Sequence, residues 1–162
     1  MMRLRFGIIL GVAALLSSCS PSQSNTGPTT DIPSQLVKRS DTPKIEGEWG
    51  HFRPYFTQNS LGTSKNIVAF ADVLPGQEPH PPHRHADEEY IMVTSGRGEW
   101  YLNGDTFPAE AGDILYAKPW DYHGITAAPD SNLQIVIFKW IGKSVNAVDP
   151  NPNLPEEITE IK

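Results

Sequence analysis

The chain has 162 residues, a formal net charge of −6, 38% hydrophobic and 20% charged residues, and a single cysteine. That length holds one domain with a core and leaves two cramped. The acidic balance speaks against nucleic acid as a partner, which needs clustered Lys and Arg, and Gly 13 with Pro 15 favours short strands and turns over helices.

Residues 1–18 place Arg3 and Arg5 before an apolar run from Phe6 to Leu16. The run is too short for a bilayer, which takes about 20 residues, and reads as a secretory signal segment. Leu16-Ser17-Ser18-Cys19 resembles a bacterial lipobox, where the chain is cut before a cysteine that becomes lipid-modified. The alternative is an ordinary signal with an incidental cysteine. The resemblance implies that Cys19 becomes a mature N-terminus carrying acyl chains such as palmitate. Membrane attachment would then come from lipid alone, in a bacterial cell envelope. Ser20 is similar to the residue in lipoproteins sent on to an outer membrane, which would face this one into the periplasm. Lipidation also accounts for a lone thiol in an oxidising compartment.

Residues 19–44 are rich in Ser, Thr, Pro, Asn and Gln, have no run able to bury a face, and read as a flexible tether. Residues 45–143 change to short apolar runs divided by turn residues. Strands are predicted at 65–74, stopped by Pro75-Gly76, and at 89–94, stopped by Ser95-Gly96. Residues 99–102 and 105–107 flank Asn103-Gly104, the strongest short hairpin signal. Further strands are predicted at 113–117, 122–127 and 132–141, the last apolar on both faces. Residues 144–162 are Pro- and Asn-rich, acidic, and predicted to be an irregular C-terminal tail.

His83, His85 and Glu89 stand at odd positions of one run read as extended. Side chains alternate along a strand, so the three would share a face, and His123 could join them from a neighbouring strand. Three imidazoles and a carboxylate suit a divalent transition metal. Ligating histidines must be neutral, so affinity is expected to fall as pH drops through about 6.5. Glu88 is a rival ligand, but its parity sends it to the other face. Asp87 reads as a solvated turn residue and Arg84 as pointing into solvent. His80, beyond Pro81-Pro82, reads as a rim residue able to transfer a proton. Tyr101 and Trp120 are expected in the pocket wall. His51 suggests no role.

These residues carry a family resemblance. Residues 83–96, HRHADEEYIMVTSG, resemble the first cupin motif, with His83, His85, Glu89 and Gly96 at its fixed positions. Residues 112–124, GDILYAKPWDYHG, resemble the second, with Gly112-Asp113, Pro119 and His123. Gly76 stands one residue further from His83 than the pattern has it, Trp120 replaces a usual glycine, and Ala127 stands where Asn is common. The resemblance implies an all-β, single-domain jelly-roll β-barrel. It also implies one divalent metal (Fe, Mn, Ni or Zn) on His83, His85, Glu89 and His123. Cupins include dioxygenases, decarboxylases, lyases and isomerases as well as plain binding proteins, and fold does not choose among them. The expectation is an envelope-anchored metalloenzyme acting on a small oxygen-rich molecule, with no catalytic residue assignable. The alternative is a non-catalytic metal- or ligand-binding lipoprotein. Small cupins often pair, and the doubly apolar strand at 132–141 adds the expectation of a homodimer.

Overall fold

The computed structural model describes residues 32–158. The predicted signal segment, Cys19, the start of the tether and residues 159–162 lie outside the described residues. Nine strands are found among those described: β1 (Ile45–Gly47), β2 (Gly50–Phe56), β3 (Thr63–Val73), β4 (Glu88–Ser95), β5 (Arg97–Leu102), β6 (Asp105–Glu110), β7 (Ile114–Ala117), β8 (His123–Ala127) and β9 (Leu133–Gly142). They form an antiparallel sheet of order β1-β2-β3-β9-β4-β7 and another of order β6-β5-β8. The all-β jelly-roll architecture expected from the sequence is present. No described helix is long and apolar enough to cross a membrane.

Alternation builds the core. In β4 the side chains of Glu89, Ile91 and Val93 are buried, while those between them are not. They meet Trp100 and Ile125 of the smaller sheet and Leu133 and Ile135 of β9. Two turns fix the register. Asn103 and Gly104 both have positive φ, 51° and 104°, which matches the twist of a two-residue hairpin between β5 and β6. Gly96, at φ 83°, turns β4 into β5 where any Cβ would lie 1.9 Å from the Asn132 carbonyl oxygen.

Seven strands fall on the predicted stretches, and β1 and β2 were not predicted. Pro54 hides β2, since proline cannot donate to a ladder. It is tolerated because β1 pairs only as far as Phe52, and β2 shifts register against β3 between Pro54 and Phe56. Likewise β6 runs on through Pro108 because it is an edge strand. The end of the stretch read as tether is docked: the Thr42 carbonyl accepts from Arg53 Nη1 at 3.0 Å, and the Arg39 guanidinium lies 4.4 Å from the Phe70 ring centroid.

The outer face of β7, β4 and β9 carries Ile114, Tyr116 and Phe138, all exposed, beside Tyr90, Met92 and Trp140. Tyr90 stacks on Tyr116 and Trp140 at 4.7 and 5.5 Å. An exposed apolar face of this kind is where the homodimer expected from the sequence would form, with a second copy as the self-complementary match. Light scattering at micromolar concentration is expected to give twice the chain mass, and Phe138→Glu to give one. A wild-type monomer at high micromolar concentration would remove the dimer.

Candidate metal centre

Three separate elements bring the four predicted ligands together. Glu89 comes from β4 and His123 from the start of β8. The stretch carrying His83 and His85 is not the continuous strand that the alternation argument assumed. It is irregular, touching the ladder only at His83, which bridges His123 on one side and Glu157 on the other. The His83 amide donates to the His123 carbonyl at 3.0 Å, and the His123 amide donates back at 2.9 Å. Gly124 lets this crossing run close, for a Cβ there would meet Pro82 Cα at 3.2 Å.

One potential ligand atom from each of His83, His85, Glu89 and His123 lies within 4.8 Å of the others. The imidazole centroids are 4.7 to 5.0 Å apart. His123 is 1% exposed. Its Nδ1 lies 2.9 Å from the Asp121 carbonyl oxygen, which can only accept, so Nδ1 carries the proton. In the neutral ring Nε2 then presents a lone pair, 3.3 Å from Glu89 Oε2. His85 Nε2 lies 2.9 Å from the same oxygen. The His123 lone pair and the carboxylate oxygen repel unless a proton or a cation stands between them. The Nδ1 atoms of His83 and His85 are also buried without a hydrogen-bond partner. The donor chemistry therefore fits a divalent cation held by these four side chains.

The electrostatics suit the same purpose. Burial pushes the His83 imidazole down to about 2, with His80, His123 and His85 adding and Glu89 opposing. It is neutral at pH 7, as a ligand must be. Burial raises Glu89, but His123, His85 and the Lys139 ammonium outweigh it, and the carboxyl ends below its usual range. Both shifts act in one direction. Below about pH 6.5 the unfolded chain takes up a proton at His83 that the folded chain refuses. Below about 4.5 it takes one up at Glu89. Metal-free protein is expected to have a flat Tm above pH 7 and a falling one below 6.5. His83→Gln should flatten the upper part of that fall. A wild-type Tm unchanged between pH 7 and 5 would contradict this.

Several neighbours differ from expectation. Asp87 is 1% exposed rather than solvated, because it lies inside the turn before β4. Its Oδ2 accepts from Lys65 Nζ at 3.0 Å and stands 3.6 Å from His85 Nδ1, beyond hydrogen-bond distance but close enough to act on that ring electrostatically. Arg84 is 3% exposed rather than in solvent, since the tail covers it. Its amide donates to the Glu156 carbonyl at 2.8 Å, its guanidinium pairs with Asp149, and Nη1 donates to the Asn151 carbonyl at 3.3 Å. The same guanidinium lies 5.2 and 5.6 Å from the Trp120 and Tyr122 rings. Tyr122 also donates to the Pro155 carbonyl at 2.5 Å. The irregular tail is thus strapped across the crossing that carries two ligands.

Trp120 is not a pocket wall. Its φ is 69°, a conformation that costs a bulky residue about 1–3 kcal/mol, which explains why glycine is usual there. Its indole Nε1 donates to the Ala147 carbonyl at 2.8 Å and its amide to the His85 carbonyl at 2.8 Å. Tyr101 is also outside the pocket wall, and Glu88 lines a separate surface dent. His80 is at the rim, its ring 4.0 Å from that of His83.

The walls come instead from β1, β2, β3, β4, β8 and β9. Glu89, His123 and His80 face a cavity of about 310 Å³ between the sheets, otherwise lined by apolar side chains including Ile45, Trp49 and Phe52. On the other side His83, His85 and Lys139 face an open cleft of about 500 Å³. Lys139 pairs directly with Glu89 across β9 and β4, its Nζ 3.8 Å from Oε2. Sequence reasoning missed it, although position 139 continues the inward row of 133, 135 and 137.

Residues 69–138 match the family model described as the cupin domain. Over 63 residues the chain is 27% identical to the HTH-type transcriptional activator RhaR of Mannheimia succiniciproducens, covering 39% of this chain and 23% of that one. The chain thus spans less than a quarter of that relative. Among solved structures it resembles an RmlC-like cupin from Shewanella frigidimarina, with TM-score 0.56, 16% identity, and coverage of 67% of this chain and 93% of that one. It also resembles the polyketide cyclase RemF from Streptomyces resistomycificus, with TM-score 0.55, 20% identity, and coverage of 77% and 89%. At such identities the likeness carries the fold.

Proposed function

We propose that this protein, a chain of cupin fold whose residues 69–138 match the cupin domain, holds one divalent transition metal and acts as a metalloenzyme on a small molecule with oxygen donors. The observation that carries this reading is the convergence of His83, His85, Glu89 and His123, with Glu89 and His123 at the polar end of the cavity and His83 and His85 toward the open cleft. A bound divalent metal would supply Lewis-acid polarisation of a ligand oxygen. Imidazole with carboxylate suits Fe, Mn, Ni or Zn.

The chain's own residues do the rest. Asp87 stands beside the ring of His85, and the Asp121 carbonyl fixes that of His123. Trp49 and Phe52 help keep water from the cavity. His80 donates from Nδ1 to the Pro81 carbonyl at 3.0 Å, which leaves Nε2 free to accept a proton at the rim. A proton-transfer group beside an apolar cavity favours an enzyme over a plain metal carrier, and the RemF likeness shows that the fold can house one. Metal analysis of purified protein, followed by a screen for ligands that perturb the metal's spectrum, tests the reading. About one equivalent of metal and a responsive spectrum are expected. Metal with no reachable position points to the non-catalytic binding lipoprotein instead.

The proposed location is a bacterial outer membrane, facing the periplasm, through lipid on Cys19. The support is Leu16-Ser17-Ser18-Cys19 after a short apolar run with Arg3 and Arg5 ahead of it. Acyl chains anchor at about 0.8 kcal/mol per buried CH₂. Cys19→Ala is expected to release the protein from the membrane fraction. Retention of an uncleaved chain at the wild-type level would place the anchor elsewhere.

A further inference from the structure

The cavity narrows what the site accepts. Its walls are the side chains of Ile45, Trp49, Phe52, Ile91, Ile135 and Ile137, with Ala71, Pro79, Gly124 and Ile125 between them. Polar groups are confined to one end, where Glu89 and His123 sit, and to His80. An oxygen-rich ligand such as a sugar acid would place most of its hydroxyls against isoleucine. Each donor or acceptor left unpaired there costs about 1–3 kcal/mol. The walls therefore narrow the oxygen-bearing molecule expected from the sequence to one with a large apolar part.

Size adds a second limit. An apolar protein cavity of about 150 Å³ stays dry and takes up benzene. The space here, about 310 Å³, is roughly twice that. It suits two fused rings, and flat aromatic bodies lose little conformational entropy on entering such a slot.

We propose that the ligand is a bicyclic aromatic with one or two adjacent oxygens at one edge, its hydrocarbon body between the sheets and its oxygens toward Glu89 and His123. The oxygen end rests on the metal reading, and the apolar body does not.

The test uses the purified full chain, metal-free and loaded with Co²⁺. The probes are 2,3-dihydroxynaphthalene, catechol, naphthalene, glucuronate and decanoate. The readouts are tryptophan emission, to which Trp49 in the cavity wall contributes, and the Co²⁺ absorption bands. Dihydroxynaphthalene is expected to bind loaded protein at least about tenfold tighter than catechol, since its second ring buries several more carbons. It should shift the Co²⁺ bands, and glucuronate should bind at least about a hundredfold weaker than it. Naphthalene should quench emission with or without metal.

Ile137→Phe, which fills part of the space, should cut the preference for two rings over one while metal content holds. Phe52→Ala, which removes wall without crowding, should weaken naphthalene severalfold and leave metal content unchanged. Glucuronate or decanoate binding as well as the naphthalene diol would overturn the proposal. So would metal-loaded protein that ignores both naphthalene probes, and that result leaves the metal reading standing. Naphthalene bound by protein that takes up no Co²⁺ would fail the metal reading and with it the oxygen end, while the apolar body stands.

Discussion

The double variant His83→Ala/His85→Ala is expected to carry no stoichiometric metal. Both imidazoles come from the irregular crossing between the cleft and β8, and losing them leaves two of the four donors. His85→Ala alone should lower affinity by more than about a hundredfold, beyond the 10–100-fold typical of losing a group that merely orients a ligand. Asp87→Asn should fall within that smaller range, because Asp87 acts on the His85 ring and not on the ion. Glu89→Gln should be severe, since it replaces the carboxylate that two imidazoles face. Glu88→Gln should be mild. His80→Ala should leave the metal bound, since its ring meets His83 from the rim. Metal content by elemental analysis, with circular dichroism to check folding, decides these. Full metal content in the folded double variant would end the site assignment.

Arg84→Ala is expected to cost about 3 kcal/mol of stability. A charge-assisted hydrogen bond is worth about 1.5–3 kcal/mol, and cation–π contacts add about 0.5–2. Arg84 pairs with Asp149, donates to Asn151 and lies against two aromatic rings, all under cover of the tail. Tm should drop by roughly 10 °C in thermal unfolding. Arg84→Lys should recover less than half, because an ammonium cannot make the planar fork or the stacked contacts. A Tm within a degree or two of wild type for Arg84→Ala would show that the tail is held without it.

The strands with plain alternation and a turn signal at each end were legible. β4, β5 and the Asn103-Gly104 turn are cases. The grouping of the four candidate donors was legible too, but partly for the wrong reason. Parity on one strand predicted their shared face, whereas His83 reaches it through a bridge to β8. Their spacing carried the prediction, and the local geometry did not. Asp87 and Arg84 were misread because burial by a distant segment leaves no local trace. Nothing around Arg84 announces that Asp149 and Glu156 will cover it. Lys139 was hidden by register, since its meaning depends on standing opposite Glu89. β2 was hidden by Pro54, which only an edge position permits.

The bridge between His83 and Glu157 also sets an order of events. A chain is made from its N-terminus, and early parts fold first. All four donors are available once His123 has emerged, yet the backbone of His83 gains its second neighbour only when residue 157 arrives. The pocket is therefore completed by a segment synthesised well after all four donors. Closure of the four-donor cluster waits for a segment well downstream of it, and a chain cut short before Ala147 would possess all four donors while lacking the contact that holds His83 in place.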